Sequence, residues 1–126
     1  MKWIRSSQGL VDTFEHLVPD ARGVEKRKMF GYPCSFVNGN MFMGLYQENM
    51  FLRLSDKDRA EFLKLENARL FEPMPGRTMK QYVVVSQQML SSKILLKKWI
   101  RKSLEYASEL PPKVRKGISS ARARAL

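Results

Sequence analysis

The chain has 126 residues and a formal net charge of +11 at pH 7, with 44% hydrophobic and 28% charged residues. Its length suits one domain with a single core and excludes two ordinary domains. No apolar run approaches the roughly 18 to 20 residues of a membrane span, and the N-terminus lacks the apolar core of a secretory signal. A single cysteine excludes an internal disulfide. We therefore expect a cytoplasmic, globular protein with no membrane contact.

The first predicted element is an amphipathic helix that ends at Val18. Ser6 or Ser7 can cap its start, and Pro19 ends it because a residue before proline is pushed out of helical conformation. Its apolar positions recur at spacings of three and four, as on a helix with one buried face: Leu10, Val11, Phe14, Leu17 and Val18.

Four short strands are predicted next, over residues 25–29, 34–37, 41–46 and 50–54. Asn38-Gly39 separates the second strand from the third. Both residues tolerate the positive φ that a two-residue type I′ turn requires. The sequence therefore predicts an antiparallel meander with a hairpin that turns at Asn38-Gly39.

A short middle helix is predicted over 56–64, since Ser55 and Asp58 resemble a capping box. Its inward positions are predicted to be Ala60, Phe62 and Leu63. A short strand follows over 69–72. Residues 73–76 are predicted to be a loop, because the two prolines lack backbone donors and fix φ.

The last strand is predicted over 80–85, where β-branched and aromatic residues cluster. The last helix is predicted over 93–109, with Ser91 or Ser92 as its cap and Pro111 as its stop. Because no long parallel crossover occurs, the order of elements predicts an α+β fold. We expect an antiparallel meander sheet of about four to six strands, with the N-terminal helix, the short middle helix and the C-terminal helix packed on it.

Positive charge is concentrated toward the C-terminus, where residues 81–126 carry ten positive and two negative side chains. We expect a domain over residues 1–112 and a flexible basic tail over 113–126, because the tail is too poor in apolar residues to order itself.

The last helix carries the strongest candidate binding surface. Cations recur at i+4 on its outward face, and only Glu105 is placed to offset them. Two explanations stay open: an anionic partner, most simply nucleic-acid phosphates, or a solvated face of a basic protein. The candidate contacts in this helix and tail are Lys93, Lys97, Lys98, Arg101, Lys102, Lys113, Arg115 and Lys116. Secondary candidates for anion contact are Lys26, Arg27, Lys28, Arg53, Arg77 and Lys80.

Four segments together resemble the TfoX/Sxy N-terminal domain family. They are Arg27–Gly31, the hairpin Val37–Phe42, the strand Phe51–Leu54, and the loop and strand Pro75–Tyr82. Members typically show a basic residue before Met-Phe-Gly-Gly, a short hairpin, a strand like Leu-Tyr-Leu-Lys, and a Gly-Arg-Pro-Met loop before a Tyr-rich strand. Tyr32 stands where the second Gly is usual, and Thr78 where Pro is common. The likeness extends over about residues 8–110.

The resemblance implies an α+β fold and, for the best-known members, positive regulation of competence genes together with the cyclic-AMP receptor protein. It brings no catalytic residues, because none are established for the family. Those regulators look like two-domain proteins, whereas a basic tail follows here. We therefore expect a stand-alone N-terminal domain.

Three hypotheses on function follow. The leading one is a non-enzymatic regulatory or adaptor domain that contacts nucleic acid, or a DNA-bound regulator, through the last helix and tail. The alternative is a protein-interaction module, such as a homodimer, whose charge serves solubility. The third is a small enzyme with a pocket formed by Cys34, Arg53, Arg77 and Tyr82. No cofactor or metal is predicted, since one His and one Cys exclude a Cys/His metal site.

Overall fold

The computed structural model describes residues 4–113, which form ten helices and strands. The helices are α1 (Gln8–Leu17), α2 (Asp56–Phe62), α3 (Gln87–Leu90) and α4 (Lys93–Glu109). The strands are β1 (Val24–Met29), β2 (Tyr32–Val37), β3 (Asn40–Tyr46), β4 (Asn49–Arg53), β5 (Arg69–Met74) and β6 (Arg77–Val84).

All six strands form one sheet in the order β1-β2-β3-β4-β6-β5, and every neighbouring pair is antiparallel. The predicted α+β fold and antiparallel meander are confirmed. Strand β6 lies between β4 and β5, so β1 and β5 are the two edges of the sheet.

One face of the sheet carries the main core. Helices α1, α2 and α4 pack on this face. Phe14 of α1 and Leu96 of α4 are fully buried there, together with Leu52 of β4. This packing places the inner side of α4 across the middle strands and leaves its other side in solvent.

The opposite face carries a second, aromatic cluster that no helix covers within residues 4–113. Its buried members are Cys34, Met41, Phe51, Phe71, Tyr82 and Val84. The rings of Tyr46 on β3 and Phe71 on β5 lie 5.7 Å apart, although these strands are three positions apart in the sheet. In a flat sheet the backbones of these two strands would be about 14 Å apart. The two side chains therefore converge over the strands between them, and we call the face on which they converge the concave face.

The hairpin between β2 and β3 turns at Asn38-Gly39, as predicted. Both residues have positive φ, at 51° and 84°. A second two-residue turn, which the sequence did not predict, joins β1 to β2 at Phe30-Gly31, with φ of 55° and 86°. A bulky residue at positive φ is uncommon, so propensity gave no reason to place a turn at Phe30.

The predicted loop over 73–76 is wrong in extent. Strand β5 continues through Pro73 to Met74, and β6 already begins at Arg77, so only Pro75-Gly76 forms the turn. Strand β5 tolerates Pro73 because it is an edge strand, where a missing backbone donor need not break the ladder.

Two further differences concern the helices. In α2 only Phe62 faces the core, whereas Ala60 and Leu63 are exposed, and the helix ends two residues earlier than predicted. The short helix α3 was not predicted. Its N-cap is Ser86, whose hydroxyl accepts a hydrogen bond from the backbone N–H of Met89. A helix of one turn is too short to show a period in the sequence.

A bulge in β3 is held by α4. Strand β3 has one extra residue, Phe42, opposite the step from Ser35 to Phe36, and such a bulge locally disrupts the ladder. The buried Ser103 hydroxyl donates a 2.6 Å hydrogen bond to the Phe42 carbonyl oxygen. Ser103 therefore fixes the position of α4 on the sheet.

Replacing Ser103 by alanine is expected to lower the free energy of unfolding by about 1–3 kcal/mol, because the Phe42 carbonyl loses its partner inside the core. Urea unfolding measures this. The matched control is Ser108→Ala, since the exposed Ser108 bonds only to Glu105 of its own helix. The control should change stability by less than about 0.5 kcal/mol. Equal effects would contradict a role for the Ser103 bond in holding α4.

The chain after α4 is anchored on the hairpin. The backbone N–H of Lys113 donates to the Asn38 carbonyl oxygen at 2.8 Å, and the Asn40 side-chain amide donates to the Pro111 carbonyl oxygen at 3.0 Å. The division of the chain at residue 112 stays a prediction, because residues 114–126 lie outside the described residues.

Candidate nucleic-acid interface

Helix α4 presents two contrasting sides. Its inward side carries five buried residues, Leu96, Trp99, Ile100, Ser103 and Ala107. Ser92 is the N-cap, one of the two residues predicted, but its side chain makes no capping hydrogen bond. The first turn carries no acidic residue, so nothing there offsets the positive end of the helix dipole. The N-terminal end of α4 is thus positive in its backbone field as well as in its side chains.

Four of the predicted cations share one shallow groove of about 470 Å³ on that outward side. The groove is lined by Ile94, Lys97, Lys98, Arg101, Lys102 and Glu105. Lys97 and Arg101 are exposed and make no side-chain hydrogen bond or ion pair with residues 4–113. Their charges are consequently available to an anion in solution.

The other two cations of the groove are partly engaged. Lys98 and Lys102 place their ammonium groups 5.6 Å and 5.9 Å from the Trp99 ring centroid. Lys102 also lies 3.7 Å from a carboxylate oxygen of Asp58 on α2. The expectation that only Glu105 offsets these cations is therefore corrected, because Asp58 comes from an element distant in sequence.

The remaining candidates of the helix and tail lie apart from the groove. Lys93 lines a separate cleft beside α1, together with Asp12, Thr13 and His16. Lys113 is held by its backbone at the Asn38 hairpin. The candidates Arg115 and Lys116 lie outside the described residues.

Ile94 is the residue of this surface that sequence reasoning missed. Its side chain is 88% exposed between Lys97 and Lys98 on the outward side of α4. A helical projection would have found it, because at 100° per residue Ile94 lies about 160° from Leu96. The apolar side chain of Ile94 cannot bond to phosphate oxygens, so it offers this surface a different kind of contact.

The family model of the TfoX N-terminal domain matches residues 15–107, which include the end of α1 from Glu15 to Leu17, the whole sheet and most of α4. This chain belongs to the TfoX N-terminal domain family. No curated protein matches it. Membership confirms the resemblance of the hairpin and strand segments, and it supports a regulatory domain like that of competence regulators.

The secondary cations on β1 of this TfoX N-terminal domain point to opposite faces of the sheet, as successive residues of a strand do. Lys26 forms a 2.9 Å ion pair with Glu15 of α1. Arg27 forms a 2.8 Å pair with Glu25 and lies 4.4 Å from the ring centroid of Phe36 on the concave face. The three cations of residues 26–28 therefore do not form one patch.

The four residues of the enzyme hypothesis do not form a common pocket. Arg53 donates to the Gln81 side chain and lies over the Tyr82 ring, whereas Arg77 and Lys80 line a cleft at the β5–β6 turn. Cys34 is wholly buried, and burial raises the pKa of its thiol to about 11. A thiol of that kind stays protonated at neutral pH and is shielded from a substrate.

Residues 4–113 hold neither a metal-binding cluster nor a membrane-spanning helix. No three His, Cys, Asp or Glu side chains in that range come together in a way that would hold a metal ion. Nor does any helix there combine the length and apolar composition needed to cross a bilayer.

Proposed function

We propose that this TfoX N-terminal domain is a non-enzymatic regulatory or adaptor domain of the cytoplasm that contacts nucleic-acid phosphates through the outward side of α4. The observation that carries the proposal is the groove in which Lys97, Lys98, Arg101 and Lys102 lie together with a single carboxylate, Glu105. Regulation of competence genes is the biological context that the family suggests for such a contact.

Exposed cations at i+4 suit a polyanion better than a small ligand. They repel one another along the helix by a few tenths of a kcal/mol per pair, and a row of phosphates relieves that repulsion. Phosphate contacts release condensed counterions, so binding falls steeply as salt rises. The net charge of +11 adds long-range attraction for the same partner.

The double substitution Lys97→Glu and Arg101→Glu is expected to abolish retention of a duplex DNA in a low-salt mobility-shift assay. These two residues are exposed and have no ion-pair partner within residues 4–113. For the wild-type chain, the logarithm of the binding constant should fall linearly with the logarithm of salt concentration, with a slope of roughly −0.9 per phosphate contact.

The matched control is Lys57→Glu on α2 with Lys64→Glu in the turn that follows it, which changes the net charge equally at two other exposed positions. The control should keep most of its DNA retention. If it loses as much as the α4 variant, the attraction is non-specific and the α4 contact is refuted. Absence of retention of either DNA or RNA by the wild-type chain would refute direct binding altogether.

The exposed Ile94 favours a second candidate, in which the same helix side contacts protein, including a second copy of this chain. An apolar residue of that exposure belongs more naturally to a protein interface than to a phosphate contact. Size-exclusion chromatography with light scattering separates the two candidates. A stable dimer that is indifferent to DNA would support the second candidate and contradict the first.

A further inference from the structure

A second basic cleft lies on the opposite side of the domain from the edge strand β5. It runs between α1 and the edge strand β1, with a volume of about 640 Å³. Gln8 and Val11 of α1 form one wall, Lys28 of β1 and Tyr32 of β2 form the other, and Arg5 lies at one end. Clefts of 300 to 1,000 Å³, as an order-of-magnitude range, are typical of small-molecule sites.

The charges of this cleft are unbalanced. Glu15 is the single carboxylate in its lining, and it is already paired with Lys26. The Arg27 side chain is paired with Glu25 and turned toward Phe36. Arg5 and Lys28 make no side-chain hydrogen bond or ion pair with residues 4–113. Two cations therefore remain for a ligand, with no carboxylate left to neutralise them.

The lining of the cleft also has an apolar part. Val11 and Pro33, both partly exposed, contribute to its surface beside the cations. The cleft thus offers cations for an anionic group and apolar surface for the part attached to it.

We propose that this cleft binds a phosphate group carried by a ligand with an apolar or ring-containing part, held by Arg5 and Lys28. Arginine and lysine are the side chains that recognise phosphate most often, the first through its planar fork and the second as a point charge. The phosphate comes either from a free small molecule or from a nucleic-acid chain. The site shares no residue with the α4 groove, so its test is independent of the test of the proposed function.

Titration of the full chain with inorganic pyrophosphate at constant ionic strength tests the proposal. Pyrophosphate is expected to raise the melting temperature in a concentration-dependent way, because a ligand that binds only the folded state stabilises it. In the double variant Arg5→Ala with Lys28→Ala, isothermal titration should show binding weakened about tenfold or more. Both residues are exposed, so the variant should fold as the wild-type chain does.

A control variant makes the result specific. Arg77→Ala with Lys80→Ala removes the same charge at the β5–β6 turn. It should bind pyrophosphate as the wild-type chain does. Absence of a stabilising effect in the wild-type chain, or an equal loss in the β5–β6 control, would overturn the proposal.

Retention of duplex DNA by the Arg5 and Lys28 variant identifies the source of the phosphate. If this variant retains DNA but no longer binds pyrophosphate, the ligand of the cleft is a free phosphorylated small molecule. Loss of both indicates that the cleft takes a phosphate of the nucleic acid itself. In either case the phosphate site is supported, whereas loss of DNA retention in the α4 variant alone concerns only the proposed function.

Discussion

Replacing Phe51 by alanine is expected to lower the free energy of unfolding by about 3–5 kcal/mol, as for other fully buried aromatic residues. Phe51 is 1% exposed and lies at the centre of the aromatic cluster on the concave face. Its ring stacks on Phe71 at 4.5 Å between centroids and meets Tyr82 edge-on at 5.6 Å. Alanine would remove both ring contacts and leave a cavity that the paired strands cannot close.

The ring of Phe51 also covers the position opposite it in the sheet. Gly44 is its partner on β3, and a Cβ at that glycine would lie only 2.7 Å from the ring of Phe51. Position 44 therefore requires glycine, since any side chain there would displace the ring of Phe51. The cavity left by alanine would open directly above the strand backbone.

Urea unfolding followed by circular dichroism measures the effect of Phe51→Ala. The matched control is Ile94→Ala, which also truncates a large apolar side chain but at a position that is 88% exposed. The control should cost nothing or stabilise slightly, because alanine favours the helix. A cost below about 1.5 kcal/mol for Phe51→Ala would mean that the concave face is not a core, contrary to the fold described above.

The sequence predicted those elements whose signals are local. Asn38-Gly39 specified its turn because both residues tolerate the backbone conformation that the turn needs, and the α1 period specified its buried face. The second core was not predicted. Phe51 and Tyr82 lie on the paired strands β4 and β6, whereas Phe71 lies on β5, and the strand order β4-β6-β5 brings the three rings together. No local pattern reports strand order.

For the candidate sites too, the sequence predicted what depends on local spacing and not what depends on tertiary packing. The i+4 spacing of Lys97 and Arg101 was sufficient to place them on one side of α4. The pairing of Lys102 with Asp58 and of Lys26 with Glu15 depends on how helices pack, so the number of unpaired cations could not be counted in advance. The cleft at Arg5 and Lys28 is lined by residues of the N-terminal segment, α1 and β1. Its formation also depends on how these elements pack, so the sequence did not predict it.

Replacing Gly39 by alanine is expected to destabilise the domain by about 2–4 kcal/mol, through two separate costs. Gly39 has a φ of 84°, which a residue with a Cβ adopts at a cost of about 1–2 kcal/mol. The added Cβ would also lie 1.8 Å from the Lys113 carbonyl oxygen, so the segment after α4 would have to move away. That movement breaks the bond from the Lys113 N–H to the Asn38 carbonyl.

Gly76→Ala separates the two costs, because Gly76 has nearly the same φ, 78°, and nothing within 4 Å of its added Cβ. It should show the backbone cost alone, about 1–2 kcal/mol. Hydrogen exchange at the Lys113 amide adds a local measurement: exchange should accelerate in the Gly39 variant and remain unchanged in the Gly76 variant. Equal destabilisation by both substitutions, with Lys113 still protected, would show that the chain after α4 is not anchored at the hairpin. Anchoring matters for function because it fixes the position of Lys113, one of the candidate cations, at the hairpin.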